Sequence, residues 1–354
     1  MIQRFLFKLI MSPFALLYGI GISIRNLFYQ LGLLKEVGFN LPIISVGNLT
    51  MGGTGKTPHV EYLIQWLSQY LNVAILSRGY KRKTKGFLEV AQRSKVDATG
   101  DEPLQYKRKF PQSSVYVSES RVLGIPKIMS LQPQIQLILL DDAFQHRAVK
   151  PGINILLTEF SRLFISDFLL PMGRLREWRN AYRRADIIVV TKCPSALSEQ
   201  QKHEIQAKIN LQNHQQLFFT TYHYKPLYHL LYPQVQVTLQ PDMHALVICA
   251  IANSDFLLEF LKTRVSSVKI LEYEDHHDFS SYEIAQLKNQ YESIEEENKI
   301  IITTEKDAMR LEKHLDFLRA EQLPVFVLPA YVSFLENEIA FQNYIKNYLL
   351  EFKS

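Results

Sequence analysis

The sequence contains little cysteine, and its two cysteines are far apart. They are Cys193 and Cys249 in a chain of 354 residues, and no CxxC pair is present. Secreted disulfide folds and cysteine zinc sites need several closely spaced thiols. This scarcity argues against both kinds of protein and favours a reducing compartment.

The chain also lacks a strong charge imbalance, internal repeats and low-complexity tracts. Hydrophobic residues make up 47% of the sequence and charged residues 21%, which is too apolar for a disordered chain. The net charge of +5 suits an anionic partner, such as a nucleotide, a phosphorylated substrate or an acidic membrane surface. It is too small to choose among these. We expect a monomer without a nucleic-acid partner.

The longest uncharged apolar stretch lies near the N-terminus and is short. Between Lys8 and Arg25 it has 16 residues, fewer than the roughly 20 that cross a bilayer. Three residues interrupt it: Pro13, Gly19 and Gly21. A signal peptide fits poorly, because no small-x-small cleavage site follows.

We therefore expect residues 5–29 to form a helix that lies in a membrane interface. Lys8 and Arg25 would reach anionic head groups from its two ends. Aromatic side chains would lie at the boundary, namely Phe5, Phe7, Phe14, Tyr18, Phe28 and Tyr29. From the residues alone, burial of this helix in the protein's own core stays open as the alternative.

After this segment, apolar runs alternate with helical patterns, which predicts an α/β fold. The runs are short and apolar throughout, as in strands buried on both faces of a mainly parallel sheet. The predicted strands are Pro42–Val46, Val73–Leu76, Val115–Val117, Ile135–Leu140, Ile153–Leu157, Ile187–Val190, Leu246–Ile251, Val268–Leu271, Ile300–Thr303 and Val325–Leu328. The predicted helices include His59–Tyr70, Ser254–Thr263, Tyr282–Tyr291 and Glu336–Phe352.

We divide the chain into three parts. Residues 1–35 are the apolar membrane-associated helical segment, and residues 36–210 form a P-loop NTPase-like core with helices on both faces of its sheet. Residues 211–354 form a smaller C-terminal α/β lobe. A two-stranded ribbon near residues 217–240, formed by Leu217–Tyr224 and Gln234–Leu239, would join the two lobes.

A glycine-rich loop between the first core strand and a helix carries the most specific motif. It reads GNLTMGGTGKTPH and ends as a P-loop does, although Thr50 stands where the strict pattern has glycine. Backbone N–H groups of such a loop surround phosphate oxygens, and the following helix adds its positive end. Lys56 would reach the β- and γ-phosphates of ATP, and the Thr57 hydroxyl would ligate Mg²⁺.

The strand Ile135–Leu140 runs into Asp141 and Asp142. A buried strand that ends in acid beside a P-loop is the usual source of a magnesium-binding carboxylate. We therefore predict that these two aspartates serve Mg²⁺, with a solvated strand end as the alternative.

Other polar clusters are weaker signals on their own. GDEP places Asp101 and Glu102 in a turn, and YEDHHDF places His276 and His277 among carboxylates. A histidine paired with a carboxylate can accept a proton. An arginine-rich stretch after Leu169 can stabilise a transferring phosphoryl group, and TTEKDAMRL can bring Lys306 to the cleft.

Taken together, these motifs resemble the tetraacyldisaccharide 4'-kinase family, the lipid A 4'-kinases of Gram-negative bacteria. The resemblance covers most of the chain in the correct order: an apolar N-terminal helix, VGNLTMGGTGKTP, SRGY, GDEP, DDAFQHR, LPMGRLRE, a DHH motif and TTEKDA. The departures from the family pattern include Ala143, Met172, Arg174, Trp178 and AIANSD at Ala250–Asp255, all in loops.

The resemblance implies transfer of the γ-phosphate of ATP to the 4'-hydroxyl of an acylated glucosamine disaccharide 1-phosphate, at the cytoplasmic face of the inner membrane. It implies that Asp101 is the catalytic base, assisted by His276. The nucleotide would be bound by Thr50, Met51, Gly52, Gly53, Thr54, Gly55, Lys56 and Thr57. It also implies roles near phosphate or substrate for Arg78, Arg121, His146 and Arg176.

Several other P-loop classes are alternatives. A regulatory GTPase usually carries NKxD after a strand, but Thr191–Pro194 reads TKCP, which favours adenine. Dimerising ATPases resemble KGGxGK[ST], whereas this loop has Met51 at the lysine position. A kinase for another small molecule is the closest rival, and a nucleotide switch or scaffold would leave the catalytic residues unexplained.

Overall fold

The computed structural model describes residues 2–352, and the side chains of residues 7–352. The part of the chain so described contains fifteen strands: β1 Ile43–Asn48, β2 Val73–Ser77, β3 Leu88–Glu89, β4 Ser114–Val117, β5 Leu137–Asp141, β6 Ile153–Glu159, β7 Ile187–Thr191, β8 Gln216–Tyr224, β9 Leu227–His229, β10 Gln236–Val237, β11 His244–Cys249, β12 Ser267–Glu272, β13 Lys299–Thr304, β14 Val325–Leu328 and β15 Ala330–Phe334.

Eleven α-helices accompany the strands over the same residues. They are α1 Ile2–Gln30, α2 Lys56–Leu67, α3 Val96–Thr99, α4 Asp101–Lys109, α5 Arg121–Leu131, α6 Glu199–Ile209, α7 Asp255–Lys262, α8 Ser281–Glu292, α9 Glu305–Leu311, α10 Leu315–Ala320 and α11 Glu338–Glu351. Short 3-10 helices lie at Phe164–Ser166, Arg179–Arg184 and Glu312–His314.

The strands form two sheets. The larger has nine strands in the order β15-β8-β7-β6-β1-β5-β2-β4-β3, and the smaller has six in the order β10-β9-β14-β13-β11-β12. Pairing is parallel within each sheet except at the edges, where β3, β15, β9 and β10 pair antiparallel. The expected α/β fold with mainly parallel sheets is confirmed.

The glycine-rich loop Thr50–Thr57 is called the phosphate loop, and Asp141 with Asp142 the acidic strand end. The order of the central strands explains why the two lie close together. β1 pairs with β5 in parallel, and Val46 lies opposite Asp141. Both strands are buried along their whole length, because helices cover both faces of the sheet. The residues that follow β1 and β5 therefore emerge side by side at the carboxyl edge of the sheet, where α/β folds bind ligands.

The predicted ribbon between the lobes is wrong in its pairing. β8 extends the large sheet by pairing with β7 and β15, and β10 pairs instead with β9. β8 has apolar residues that are buried in the large sheet. A free two-stranded ribbon could not bury them, and such ribbons are marginally stable. The boundary at residue 210 stays a prediction, and the sheets divide the chain differently, since β15 returns to the large one.

Helix α1 projects most of its apolar surface into solvent. It has 29 residues and continues through Pro13. Residues 7–30 are long and apolar enough to cross a membrane, because an 18-residue window within them has a mean hydropathy of 1.6, and 17% of that window is buried. The alternative prediction, that this helix is buried in the protein's own core, is therefore wrong for the side chains that the structure describes. Phe5, one of the predicted boundary aromatics, lies outside the described side chains.

A buried carboxylate joins the helix of the phosphate loop to both lobes. Glu61 of α2 accepts hydrogen bonds from Lys109 at 2.7 Å and from Gln105 at 2.8 Å, and Lys109 also pairs with Glu305 at 2.8 Å. Burial, together with the negative charge of Glu305, raises the pKa of Glu61 to about 7. Two carboxylates thus share one ammonium group.

This arrangement predicts a pH-dependent stability that Glu61→Gln removes. A raised carboxyl pKa means that the folded protein holds a proton that the unfolded chain has released, so stability falls as pH rises from the unfolded value of 4.5 to about 7. We compare the free energy of unfolding of Glu61→Gln with that of the wild type. We expect the difference, variant minus wild type, to rise by on the order of 2 kcal/mol between pH 5 and pH 8. Denaturant unfolding at both pH values measures this, with the exposed Glu204→Gln as control. A difference that does not change with pH contradicts the prediction.

Candidate active site

The phosphate loop has the backbone shape that anion binding requires. Gly52 and Gly55 have φ angles of +113° and +86°, which side-chain-bearing residues rarely adopt. The loop ends at Lys56, where α2 begins, so the helix N-terminus faces the loop interior. A side chain at Gly55 would meet the Tyr222 hydroxyl, because a Cβ there would lie 2.2 Å from it. All predicted nucleotide-binding residues, Thr50–Thr57, line one cleft.

Lys56 lies in a cluster of opposite charges at the base of this cleft. Its ammonium group is 3.7 Å from Asp142 Oδ1 and 3.5 Å from Asn48 Oδ1. Arg176 donates to both Asp142 oxygens, at 2.8 and 3.1 Å, and also contacts Asn48. Burial opposes ionisation of Asp142, but Lys56 and Arg176 outweigh it and hold its pKa below the usual range. Two cations thus converge where transferred phosphate would sit.

Asp141 lies behind this cluster and differs from its neighbour. It is 1% exposed, and its Oδ2 accepts a hydrogen bond from Ser77 at 3.0 Å. Burial, then the charges of Glu102 and Asp142, raise its pKa to about 7. Its Oδ1 is buried without a hydrogen-bond partner among the described residues. A buried carboxylate oxygen that lacks a donor is expensive unless a cation or water satisfies it.

These residues fit a magnesium ion. Orphaned Asp141 Oδ1 and the Thr57 hydroxyl are oxygen donors of the type that Mg²⁺ prefers. Among the described residues no group of three or more His, Cys, Asp or Glu is arranged to hold a metal. A magnesium ion here would need water and nucleotide phosphates for its other ligands, which is its common mode of binding.

Asp101 and His276, the predicted base and its partner, are in direct contact. His276 Nδ1 lies 2.9 Å from Asp101 Oδ2, although 175 positions separate them in the sequence. Asp101 begins α4, whereas His276 lies in the loop after β12 and has a φ of +61°. Burial opposes ionisation of Asp101, but His276, Lys306 and Arg310 lower its pKa far below the ordinary value. Asp101 is therefore held as a carboxylate.

Two further cations complete this pair. Lys306 Nζ lies 3.0 Å from His276 Nε2, 3.2 Å from Asp275 and 3.4 Å from Glu102. Arg310 contacts Asp101 and lies 3.2 Å from His276 Nδ1. A proton on Nδ1 shared with Asp101 leaves Nε2 as the acceptor facing Lys306.

The two histidines of the DHH motif face different surroundings. His276 lines the same cleft as Lys56. His277 instead lies 2.9 Å from Glu283 and stacks on Tyr273 with ring centroids 4.8 Å apart. His276 is therefore the histidine of this motif that faces the cleft.

The cleft lies between the carboxyl edges of the two sheets and has a volume of about 540 Å³. Asp142, Arg176, Glu102 and Lys306 line it together with the phosphate loop. Three aromatic residues also line it: Tyr222, Tyr224 and Phe256. Asp101 does not line the cleft and reaches it through His276.

Arg78, Arg121 and His146 lie outside the lining of this cleft. Arg121 is 2% exposed and donates to the carbonyl oxygens of Ser118 and Asp141, at 2.9 and 3.0 Å. Burial, with the positive charges of Arg121 and Arg78, lowers the pKa of His146 to about 4. Arg78 and Arg121 therefore supply positive charge beside Asp141 and Asp142, and His146 near them is neutral.

Sequence reasoning missed two groups of this site. Arg310 belongs to the stretch TTEKDAMRL, from which the sequence analysis selected Lys306 alone; it lies four residues after Lys306, so both project from the same face of α9. Asn48 bonds Thr54 at 2.7 Å and holds the loop, yet it looked like an ordinary strand-end residue. Helical spacing was the available signal for Arg310, and no comparable signal existed for Asn48.

Comparison with known proteins agrees with this geometry. Residues 7–350 match the family model described as tetraacyldisaccharide-1-P 4'-kinase. Tetraacyldisaccharide 4'-kinase of Bacteroides thetaiotaomicron is 40% identical over 96% of this chain and 92% of its own length. The Flavobacterium psychrophilum protein of the same name is 43% identical over 95% of both chains.

A solved structure shows the same likeness in three dimensions. LpxK from Aquifex aeolicus, crystallised in complex with ATP, superposes with a TM-score of 0.72 at 29% identity. The match covers 97% of this chain and 99% of that one. Because the family model and these relatives span nearly the whole sequence, the chain belongs to the tetraacyldisaccharide-1-P 4'-kinase family.

Proposed function

We propose that this protein transfers the γ-phosphate of Mg²⁺-ATP to the 4'-hydroxyl of tetraacyldisaccharide 1-phosphate, the step that forms lipid IVA in lipid A synthesis. The observation that carries this proposal is a single cleft with two kinds of chemistry on its walls. One wall holds the phosphate loop with Lys56, and the other holds His276 backed by Asp101. ATP binding agrees with the ATP complex of the Aquifex aeolicus relative.

The phosphate loop and its cations hold the nucleotide. Backbone N–H groups of Gly52–Thr57 surround phosphate oxygens, and Lys56 neutralises charge that develops on the γ-phosphate. Asp141 and Thr57 would hold Mg²⁺, which supplies further neutralisation of the phosphate oxygens when bound. Asp142, which the sequence also assigned to Mg²⁺, forms ion pairs with Lys56 and Arg176 in this structure, and its magnesium role stays a prediction. Asp142 keeps Lys56 and Arg176 in place, since it contacts both. Arg176 is thus positioned to stabilise the transferring phosphoryl group.

The Asp101–His276 pair removes the proton of the acceptor hydroxyl. That hydroxyl has a high pKa, so its proton must leave as the oxygen attacks phosphorus. His276 faces the cleft, and Asp101 is a buried carboxylate at hydrogen-bond distance from it. The family resemblance assigns the base role to Asp101 with His276 as its assistant, but His276 and not Asp101 lines the cleft. We therefore propose that the ring takes the proton, while the carboxylate orients the ring and stabilises the positive charge that it gains. Lys306 and Arg310 keep Asp101 ionised and hold the pair together.

The direct test is phosphoryl transfer by the purified protein. It is incubated with γ-labelled ATP, Mg²⁺ and detergent-dispersed tetraacyldisaccharide 1-phosphate, and label is sought in the extracted lipid. Label in the lipid that depends on Lys56 supports the proposal. ATP binding without label in the lipid leaves an unidentified P-loop kinase or a nucleotide switch, and the substrate assignment is then wrong.

We further propose that helix α1 places the enzyme on the cytoplasmic face of the inner membrane. The acylated substrate stays in a bilayer, so the enzyme must come to it. Apolar side chains on α1 are widely exposed, among them Leu9 at 60%, Leu17 at 66% and Leu33, just after it, at 68%. An exposed apolar helix of this kind suits a membrane surface. Of the two basic residues predicted to reach head groups, Lys8 lies over the Phe168 ring at 4.8 Å, and Arg25 donates to the Gln145 carbonyl oxygen.

A charge on the exposed face of α1 is expected to release the protein from membranes. Leu17→Glu removes one leucine side chain from lipid, which costs ~2 kcal/mol. This corresponds to about a 30-fold lower partition coefficient. Co-sedimentation with anionic phospholipid vesicles measures it. Leu123→Glu is the matched control, because Leu123 is also 66% exposed but lies on α5. Equal partition of the two variants contradicts the membrane role of α1.

A further inference from the structure

One narrow stripe of α1 is buried against the rest of the protein. Ala15 is 4% exposed and Ile22 is 8% exposed, and Gly19 between them is also buried. These positions recur every three or four residues, so they share one face of the helix. That face packs on the loop from Leu169 to Trp178, which carries Arg176.

The contact between Gly19 and Trp178 leaves no space for a larger residue. A Cβ atom at Gly19 would lie 2.4 Å from Trp178 Cζ2 and 2.8 Å from Leu169 Cδ1. The indole Nε1 donates to the Gly19 carbonyl oxygen at 3.1 Å and to Ser23 Oγ at 2.9 Å. The tryptophan is therefore fixed by packing and by hydrogen bonds at once. Trp178 is also one of the positions at which this chain departs from the family pattern.

The two residues before Trp178 contact α1 as well. The Tyr18 hydroxyl donates to the Arg176 carbonyl oxygen at 3.0 Å, and Asn26 Nδ2 donates to Glu177 Oε2 at 3.3 Å. Three consecutive residues of the loop thus have a hydrogen bond to one helix. The guanidinium of Arg176, on the other side of the backbone, contacts Asp142.

The same loop is bonded to the phosphate loop on its inner side. Arg176 N donates to the Leu49 carbonyl oxygen, and Met51 N donates to the Arg174 carbonyl oxygen, both at 2.7 Å. A displacement of Trp178 therefore moves backbone that is hydrogen-bonded directly to the nucleotide-binding residues. Shifts of about 1 Å in such positioning groups can cost about 10²-fold in rate.

We infer that α1 is a positioning element of the active site: Tyr18, Gly19 and Trp178 hold the loop that places Arg176 beside Asp142. The inference rests on the proposed phosphoryl transfer, since that proposal assigns Arg176 to the transferring group. The helix would then act on turnover through the loop, independently of how tightly it holds the enzyme at a membrane.

Gly19→Ala tests the inference against a matched control, Gly21→Ala. Both substitutions give the helix the same gain in propensity, but a Cβ at Gly21 meets no atom within 4 Å. We expect Gly19→Ala to lower kcat by about 10- to 100-fold, with KM for ATP and vesicle partition close to wild type. We expect Gly21→Ala to match the wild type in all three.

Hydrogen exchange of residues 169–178 gives a second measurement that needs no substrate. The amides of Leu175 and Arg176 are hydrogen-bonded, and we expect their exchange to be faster in Gly19→Ala and unchanged in Gly21→Ala. Equal exchange in the two variants overturns the inference. Faster exchange with an unchanged kcat also overturns it, because the loop then moves without consequence. A fall in kcat that accompanies release from vesicles overturns it in favour of an anchor alone.

Two further comparisons keep the test decisive. If the wild type transfers no phosphate to the disaccharide, the proposed function fails. The rate of slow Mg²⁺-ATP hydrolysis is then compared between the variants in place of the rate of transfer.

If Gly19→Ala does not fold, Tyr18→Phe takes its place, because it removes one hydroxyl group. Since Tyr18 also lines the cleft, faster exchange of the Arg176 amide must accompany the lower kcat. We expect about a 5-fold lower kcat from losing that hydrogen bond. Tyr29→Phe is the control, since its ring remains 4.6 Å from Arg147; equal rates of the two variants overturn the inference.

Discussion

Replacing Asp101 with asparagine is expected to lower kcat by about 10²- to 10⁴-fold, the range for loss of general-base catalysis. Asparagine keeps the shape of the side chain but cannot stabilise the positive charge on His276 when the ring takes the acceptor's proton. The Kd for Mg²⁺-ATP should change little, because Asp101 does not line the cleft. Steady-state kinetics and equilibrium nucleotide binding measure the two quantities separately.

Asp97→Asn is the matched control for this substitution. Asp97 lies four residues earlier and forms an ion pair with Lys313 at 2.6 Å, so it too joins the two parts of the chain. Asp97 is half-exposed, and among the described residues it forms no hydrogen bond with His276. A similar kcat for Asp101→Asn and Asp97→Asn would remove Asp101 from the proton-transfer role. Asp101→Asn also removes the charged partner of Arg310, which can destabilise the fold. Thermal unfolding of the variant shows whether a lower kcat comes from such instability.

If Asp101 and His276 act as one unit, their effects do not add. We expect the double variant Asp101→Asn/His276→Ala to be no slower than the worse single variant, as in other catalytic groups that work together. Additive losses in log kcat would mean that the two residues act in separate steps. The contact of 2.9 Å between them is the structural basis for expecting a unit.

Lys56→Ala is expected to lose both turnover and nucleotide affinity. Removing a single preorganised charge from a phosphoryl-transfer site costs about 10²- to 10³-fold in kcat. Lys56 also neutralises Asp142, which would then face the phosphates with Arg176 as its remaining cation. The Kd for Mg²⁺-ATP should therefore rise. This distinguishes Lys56→Ala from Asp101→Asn, where affinity is kept.

Lys208→Ala is the control for the loss of one positive charge. Lys208 is exposed on α6 and lies outside the cleft lining. If Lys56→Ala retains the affinity and turnover of Lys208→Ala, the phosphate loop is not the nucleotide site. The isosteric Lys56→Met separates the charge from the side-chain volume and should behave as Lys56→Ala does.

Features that depend on neighbouring residues were predictable from the sequence. The phosphate loop needs a strand, glycines and a helix in immediate succession, and all three appear within residues 43–67. The strand that ends at Asp141 was predictable for the same reason, because a run of buried aliphatic residues followed by acid is a local pattern. Strand order then places Asp141 beside the loop, and that step uses only general rules of parallel sheets.

Features that depend on distant pairing were less accessible. Nothing in the residues around Asp101 indicates His276 as its partner, and family resemblance supplied that pair. Arg310 was missed, although its spacing of four residues from Lys306 on one helix was an available signal, because a buried arginine does not differ in sequence from a surface one. The ribbon near residue 217 failed because hydrophobic alternation gives a strand but not its neighbours. β8 pairs with β7, the strand before it in the chain, and with β15, which is distant from it in the sequence.

The return of β15 to the large sheet has a consequence for the order in which the protein is made. The chain passes between the sheets twice, at Lys225–Pro226 and at Pro329, and Lys225 N donates to the Pro329 carbonyl oxygen at 3.0 Å. During translation α1 therefore leaves the ribosome before Lys306, Arg310 and β15, the strand that completes the large sheet. A nascent chain would reach a membrane surface well before its cleft closes. The enzyme would thus acquire its location before its activity, and an interrupted chain would be held at the membrane without being able to consume ATP there.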